Sequence, residues 1–261
     1  VVGSLFVENT ASTDGGAVWA DSDFEPRRSS FVSNKAENHG GAAFVVGNDT
    51  DIEESYFAYN QADSDSDGFG DGGAVWVDEH LHVTNSTFYQ NSGENGGAVY
   101  ANNDSDDGFI VYSTFLDNTS ESDGPSVIWR NGELDLMGSI FVGSQNKSQV
   151  VVESGATSVD HGANVTSYES STVFDNSASQ KGVSLSSFGV STPATATLSL
   201  RPTVPFSFRS PSEFAVTDDV ISSFNDASVG QSDTDAPTDD QAGTTRTTPF
   251  TTGAEFLSIY T

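Results

Sequence analysis

The sequence predicts an all-β chain: a parallel β-helix, a solenoid of about seven coils, followed by an irregular C-terminal segment. Three observations carry that prediction. A short unit, Ser-x-Phe-x-x-Asn, recurs with Gly-Gly-Ala-aliphatic a short polar turn later, and its period of roughly 25–30 residues lies in the solenoid range. Stretches such as Leu81-His82-Val83 and Leu134-Asp135-Leu136 alternate with the period of two that marks half-buried strands. No copy holds an amphipathic stripe of the ten or so residues that a helix needs.

Aligned on the aromatic position, one column reads Phe6, Phe31, Phe57, Phe88, Phe115 and Phe141, with Val173 in a seventh copy. Two residues earlier stand Ser4, Ser29, Ser55, Ser86, Ser113, Ser139 and Ser171. Three residues later stand Asn9, Asn34, Asn60, Asn91 and Asn118, then Ser144 and Asn176. The glycine pair follows at Gly15-Gly16, Gly40-Gly41, Gly72-Gly73 and Gly96-Gly97, and decays to Gly124-Pro125. Coils of a solenoid lie about 4.8 Å apart, so like residues sit over like. Phe on Phe then makes an interior aromatic stack. Asn on Asn passes amide hydrogen bonds along the stack. Ser bonds backbone at a bend. Glycine supplies positive φ or room for close approach. These columns describe architecture and carry no catalytic signal.

Paired Gly-Gly-Ala-[Ile/Leu/Val] and Phe-x-x-Asn motifs, over roughly residues 4–176, resemble the repeats of the chlamydial polymorphic outer-membrane proteins. The resemblance implies a right-handed parallel β-helix of the pectin-lyase-like type, displayed on a surface and often adhesive. That family's C-terminal β-barrel has no counterpart here, because no series of alternating segments of about ten residues ends the chain.

Beyond about residue 180, Ser, Thr, Pro, Gly and Asp dominate. The expected organisation is a repeat domain over 1–180, a degenerate coil or cap over 181–225, and a low-complexity acidic, Thr-rich tail over 226–261. Ala194–Leu200 alternates like one more strand, and Phe206 and Phe208 alternate after it. Pro202, Pro205 and Pro211 assign that region to an edge or an irregular cover. A cap would shield the open strand edges at the solenoid's end.

The chain has 38 acidic and 9 basic residues, a formal charge of −29 and no cysteine. Disulfides and Cys-based zinc or redox sites are therefore excluded. Nucleic acid needs basic patches, and an anionic membrane surface attracts them, so both are disfavoured as partners. The balance suits cation binding, a high-salt habitat or a solvated extracellular surface. No run of about 18 apolar residues spans a membrane as a helix. No basic and then apolar leader opens the chain, and Val1 falls mid-repeat, so the sequence reads as a mature piece or a fragment.

Three features stand outside the architecture. The third copy carries an insertion whose Asp63, Asp65 and Asp67 alternate before Gly68, Phe69 and Asp71. Carboxylates at alternate positions, a sharp turn at Gly, a backbone carbonyl and a further acid form the pattern of a Ca²⁺ loop. Asp63, Asp65, Asp67, the Phe69 carbonyl and Asp71 are the ligands that it predicts, with Ala74 where a bidentate Glu would close the site. Second, acids follow the Gly-Gly-Ala strand: Asp21 and Asp23, Asp49 and Asp51, Asp78 and Glu79, then Asp104, Asp106 and Asp107. Stacked, they form an acidic ridge whose repulsion salt or Ca²⁺ would relieve. Third, Trp19, Phe44, Trp76 and Tyr100 occupy the position after the inward valine, with Ile128 in the fifth copy. Alternation points this column outward, where it offers a platform to a glycan or a cell-surface protein.

Enzymatic signals are weak. Lys35, Arg130 and Lys147 share no repeat position, so a lyase lacks its basic residue beside an acidic cluster. Among so many acids, a pair such as Asp106-Asp107 does not single out a glycosidase. His80 and His82 share one strand face and could take a metal with Glu79. The leading reading is a non-catalytic, extracellular or cell-surface, adhesin-like scaffold stabilised by calcium or salt. The alternative is a pectin-lyase-like protein that binds or cleaves polysaccharide.

Overall fold

The structure, a computed structural model, describes residues 1–102 and 107–184 in full, and the backbone of 215–216 and 250–251. It is an all-β parallel solenoid of about six turns, without helix among the described residues. Each turn passes through three walls. A seven-stranded Phe wall runs from Leu5–Val7 through Ser30–Val32, Tyr56–Ala58, Thr87–Tyr89, Thr114–Leu116 and Ile140–Val142 to Val165–Thr166. A six-stranded wall follows the glycines, from Val18–Ala20 to Val150–Val152. A five-stranded wall holds the alternating stretches, from Asp49–Glu53 to Thr157–Gly162. The pairs within these walls are all parallel, and among the described residues only Ala215–Val216 with Phe250–Thr251 runs antiparallel. Apart from that backbone pair, residues 185–261 lie outside the described residues, and the expected cap, tail and Ala194–Leu200 strand fall there.

Register follows the sequence columns. Phe6, Phe31, Phe57, Phe88, Phe115 and Phe141 stack inside the Phe wall, with Phe6 and Phe31 4.7 Å apart at centroid and Phe88 and Phe115 4.5 Å apart. The interior rungs of the asparagine ladder use both amide donors. Asn60 donates its amide to Asn91 Oδ1 at 2.9 Å and to the Phe31 carbonyl at 2.9 Å, and Asn34 and Asn91 repeat the pattern. Buried amides that leave no donor unpaired add cooperativity without a desolvation penalty. The serine column works the same way: Ser55 Oγ donates to the Glu53 carbonyl and accepts the Ser29 N–H.

The two glycines of each pair have different jobs. The first sits at positive φ, 65° at Gly40 and 69° at Gly72, where a side chain is strained. The second has ordinary φ, but a Cβ on Gly41 would drive into the Gly73 carbonyl oxygen of the next coil.

The seventh copy is out of the predicted register. Ser139 donates its N–H to Asn164 Oδ1, so Asn164, and not Ser171, occupies the serine place. Ala163 before it has a φ of 56°, like Arg28 and Tyr112 (48° each) before their serines. Phe174, and not Val173, lies against Phe141, 5.4 Å away and tilted by 34°. Asparagine substitutes for serine because both offer a side-chain oxygen to the same buried N–H.

Candidate functional site

The wall after the glycines carries the aromatic column. Trp19 pairs with Phe44, Phe44 with Trp76, and Trp76 with Tyr100. Flanking residues such as Val75 and Val77 point inward and are fully buried, so the aromatics point out. Trp19 is 55% exposed, whereas Phe44, Trp76 and Tyr100 are half-buried and Ile128 is buried. Phe44 and Trp76 stack at 4.5 Å, and Trp76 and Tyr100 lie nearly parallel at 6.4 Å. Stacked rings give their faces to one another and their edges to solvent. Trp19 is the member of the four that keeps a large open surface.

A polar ladder, not anticipated from the sequence, borders this column. It occupies the position before each glycine pair: Asp14, His39, Asp71 and Asn95. His39 N–H donates to Asp14 Oδ1, Asp71 N–H donates to His39 Nδ1 at 3.0 Å, and Asn95 donates to Asp71 Oδ1 at 2.9 Å. The His39 ring reaches within 6.2 Å of Phe44 and 6.0 Å of Trp76. Tyr100 closes the column near Arg130, which bonds Glu153 and Asn102. Burial, reinforced by the Asp71 charge, pushes the Tyr100 hydroxyl up. The face thus combines aromatic edges with a fringe of carboxylate, amide and guanidinium groups.

Of the predicted calcium ligands, the structure brings together the carboxylates of Asp63, Asp65 and Asp67, whose oxygens lie within 4.8 Å of one another. Asp63 is buried, and its Oδ1 accepts the N–H groups of Asp67 and Gly68. Phe69 is 70% exposed and donates its N–H to Asp67. Asp71 belongs to the ladder before the glycines, where Asn95 holds its carboxylate. A second grouping joins Asp63 to Glu94 and Glu121. Those two stand three residues after Asn91 and Asn118, as Asp63 stands after Asn60, so aligning the copies would have found them. They adjoin a groove of about 310 Å³ lined by Asp63, Ser66, Glu121 and Lys147 among others. The Lys147 ammonium donates to the carbonyls of Ser120, Glu121 and Ser122. Both acidic groupings could hold a metal ion.

Three members of the acidic ridge are engaged by neighbouring groups. Asp49 and Asp51 lie on a strand and face His80 and His82 across the wall, with Nδ1 to Oδ1 distances of 3.4 and 2.9 Å. An ionised carboxylate only accepts, so His82 donates. That bond holds Asp51 below the usual carboxylate range against the opposing effect of burial. The two histidines therefore meet separate aspartates and share no metal grouping with Glu79 among the described residues. Asp78 binds the Asn102 amide, and Asp104 and Asp106 lie outside the described residues.

Residues 3–21 match the model of the Chlamydia polymorphic membrane protein (Chlamydia_PMP) repeat. The matched stretch contains Ser4, Phe6, Asn9 and Gly15-Gly16-Ala17, one whole statement of the motif. No curated protein and no solved structure matches the chain.

Proposed function

We infer from the repeat match that this chain belongs at a membrane or cell surface. We propose that this chain is a non-catalytic, extracellular, adhesin-like scaffold that binds a glycan on the outer face of the wall after the glycines. The observation that carries the reading is the outward column Trp19, Phe44, Trp76 and Tyr100, in which Phe44, Trp76 and Tyr100 stack, fringed by Asp71, Asn95 and Arg130. Aromatic surface beside hydrogen-bonding groups is what a sugar requires, since its CH face is apolar and its hydroxyls are not. Trp19 supplies the open ring.

The test is a glycan array probed with wild type and Trp19→Ala. Binding by the wild type that the variant loses, with the fold intact by circular dichroism, supports the reading. Binding to a cell-surface protein but to no glycan would replace the partner. Release of polyuronide fragments would overturn the non-catalytic assignment.

The same scaffold takes Ca²⁺ at Asp63, Asp65 and Asp67, a set of hard oxygen donors. Titration calorimetry on wild type and an Asp65→Ala, Asp67→Ala double variant tests this. Heat of binding in the wild type and none in the variant is expected, and no heat in either sinks it.

A further inference from the structure

Which glycans the outer face of the wall after the glycines can take depends on the groups beside its rings. On one side, before the glycine pairs, stand Asp14, His39 and Asp71. On the other, just past the strands of that wall, stand Asp78, Arg130 and Glu153. Among the described residues of this fringe, Arg130 is the one guanidinium or ammonium group, and it is engaged within the chain. Its Nε donates to Glu153 at 3.0 Å and its Nη1 to Asn102 at 2.7 Å. Carboxylates outnumber it, and like charges a few ångströms apart repel even in water. A uronate or sialic acid on these rings would meet that repulsion without a cation to relieve it.

His39 supplies what carboxylates cannot, a donor. The Asp71 backbone N–H donates to His39 Nδ1 at 3.0 Å. An amide N–H only donates, so Nδ1 carries no proton and the neutral ring holds its hydrogen on Nε2. The Asp71 carboxylate lies 3.9 Å from Nδ1, beyond hydrogen-bond distance. Among the described residues none accepts from Nε2, and the side chain is 34% exposed. The ring lies 6.2 Å from Phe44 and 6.0 Å from Trp76, so this donor stands at the edge of the aromatic floor. We propose that the face takes uncharged glycans and that His39 is a ligand-contacting residue, its Nε2–H donating to a sugar oxygen. Asp71 is then a positioning residue, whose N–H fixes the tautomer. The inference rests on the glycan reading above and narrows it to a substrate class.

Full-length wild type, His39→Asn and Trp19→Ala are probed on an array carrying neutral, uronate and sialylated glycans, and the strongest hit is titrated by calorimetry. Asparagine places an amide oxygen where Nδ1 stands, so it keeps the Asp71 bond and removes the Nε2 donor. Neutral glycans should bind at least about tenfold tighter than their acidic counterparts. His39→Asn should bind the hit about three- to tenfold more weakly at an unchanged melting temperature, the range for one lost neutral hydrogen bond. A preference for acidic glycans overturns the inference and leaves the glycan reading standing. So does full binding by His39→Asn where Trp19→Ala has lost it. Binding to no glycan overturns both. Should His39→Asn melt early, ¹⁵N imidazole spectra of the wild type at about pH 8 give a second readout. His39 Nδ1 should be unprotonated, and Nε2 should shift when the array hit is added. A proton on Nδ1 or an unmoved Nε2 overturns the assignment.

Discussion

Two outer faces of this solenoid obey the same alternation and end in opposite surroundings. On the wall after the glycines, Trp19 is 55% exposed and its column is half-buried by its own stacking. On the Phe wall, Leu116 and Ile140 point outward just as surely and have no exposed surface. Alternation thus decides which side of the wall a residue faces. It does not decide whether that side is wet. The second question is answered by what packs there, a non-local fact that a strand's own residues only hint at through their missing charges.

The largest expected effect comes from cutting the covered face. Leu116→Ala removes a fully buried side chain and should cost about 3 kcal/mol, in the range of core truncations. Urea denaturation would measure it. A cost under about 1 kcal/mol would mean that the face is loosely packed, and the contrast between the two faces would fail. Alkali probes the same face next. Burial pushes the Tyr89 hydroxyl up from its ordinary 10.0 to about 12 and raises Tyr56 as well. A raised folded value means that the contribution is complete below pH 10 and is lost as pH climbs through 12. At about 2 kcal/mol for a shift of this size, melting should drop steeply between those values, and less so in Tyr89→Phe. Absorbance at 295 nm on the same titration shows whether tyrosine ionisation accompanies the drop.

The interior was legible because its columns repeat: Phe57 over Phe88, Asn60 over Asn91, Gly41 over Gly73. Each such residue bonds or packs with its own kind, so selection for one fixes the next. Legibility failed where chemistry was kept and identity was not. Asn164 fills the serine place because its amide oxygen accepts the Ser139 N–H, and an alignment that demands Ser slides past it to Ser171. Linear motif and repeat position give different readings of Asp71. In a calcium loop it looks like a ligand, but by repeat position it stands with Asp14, His39 and Asn95, and the ladder claims it. Glu94 and Glu121 were missed for the converse reason. They are far from Asp63 along the chain, and only the coil brings them to it.

Trp76 sharpens the contrast at smaller scale. It is half-buried and stacked on Phe44 at 4.5 Å, so Trp76→Ala should cost about 1 kcal/mol in the same urea experiment, well below Leu116→Ala. Equal costs would make the two faces one kind of surface.

The third wall offers the intermediate case and the smallest effect. His82 stacks on Phe109 at 4.3 Å on one side and donates to Asp51 on the other, so its outer column is held by a ring contact and a charge together. The bond lowers Asp51, so its stabilisation is present above the ordinary value of 3.8 and is lost as pH falls through the lower folded one. His82→Phe keeps the stacking and deletes the bond. The Asp51 side chain is 38% exposed, and after solvent screening the loss should be about 0.5 kcal/mol. Wild type and variant should therefore differ slightly in melting temperature at pH 5 and converge toward pH 2. A difference that persists unchanged at pH 2 would assign the effect to ring packing and would place this wall with the apolar faces.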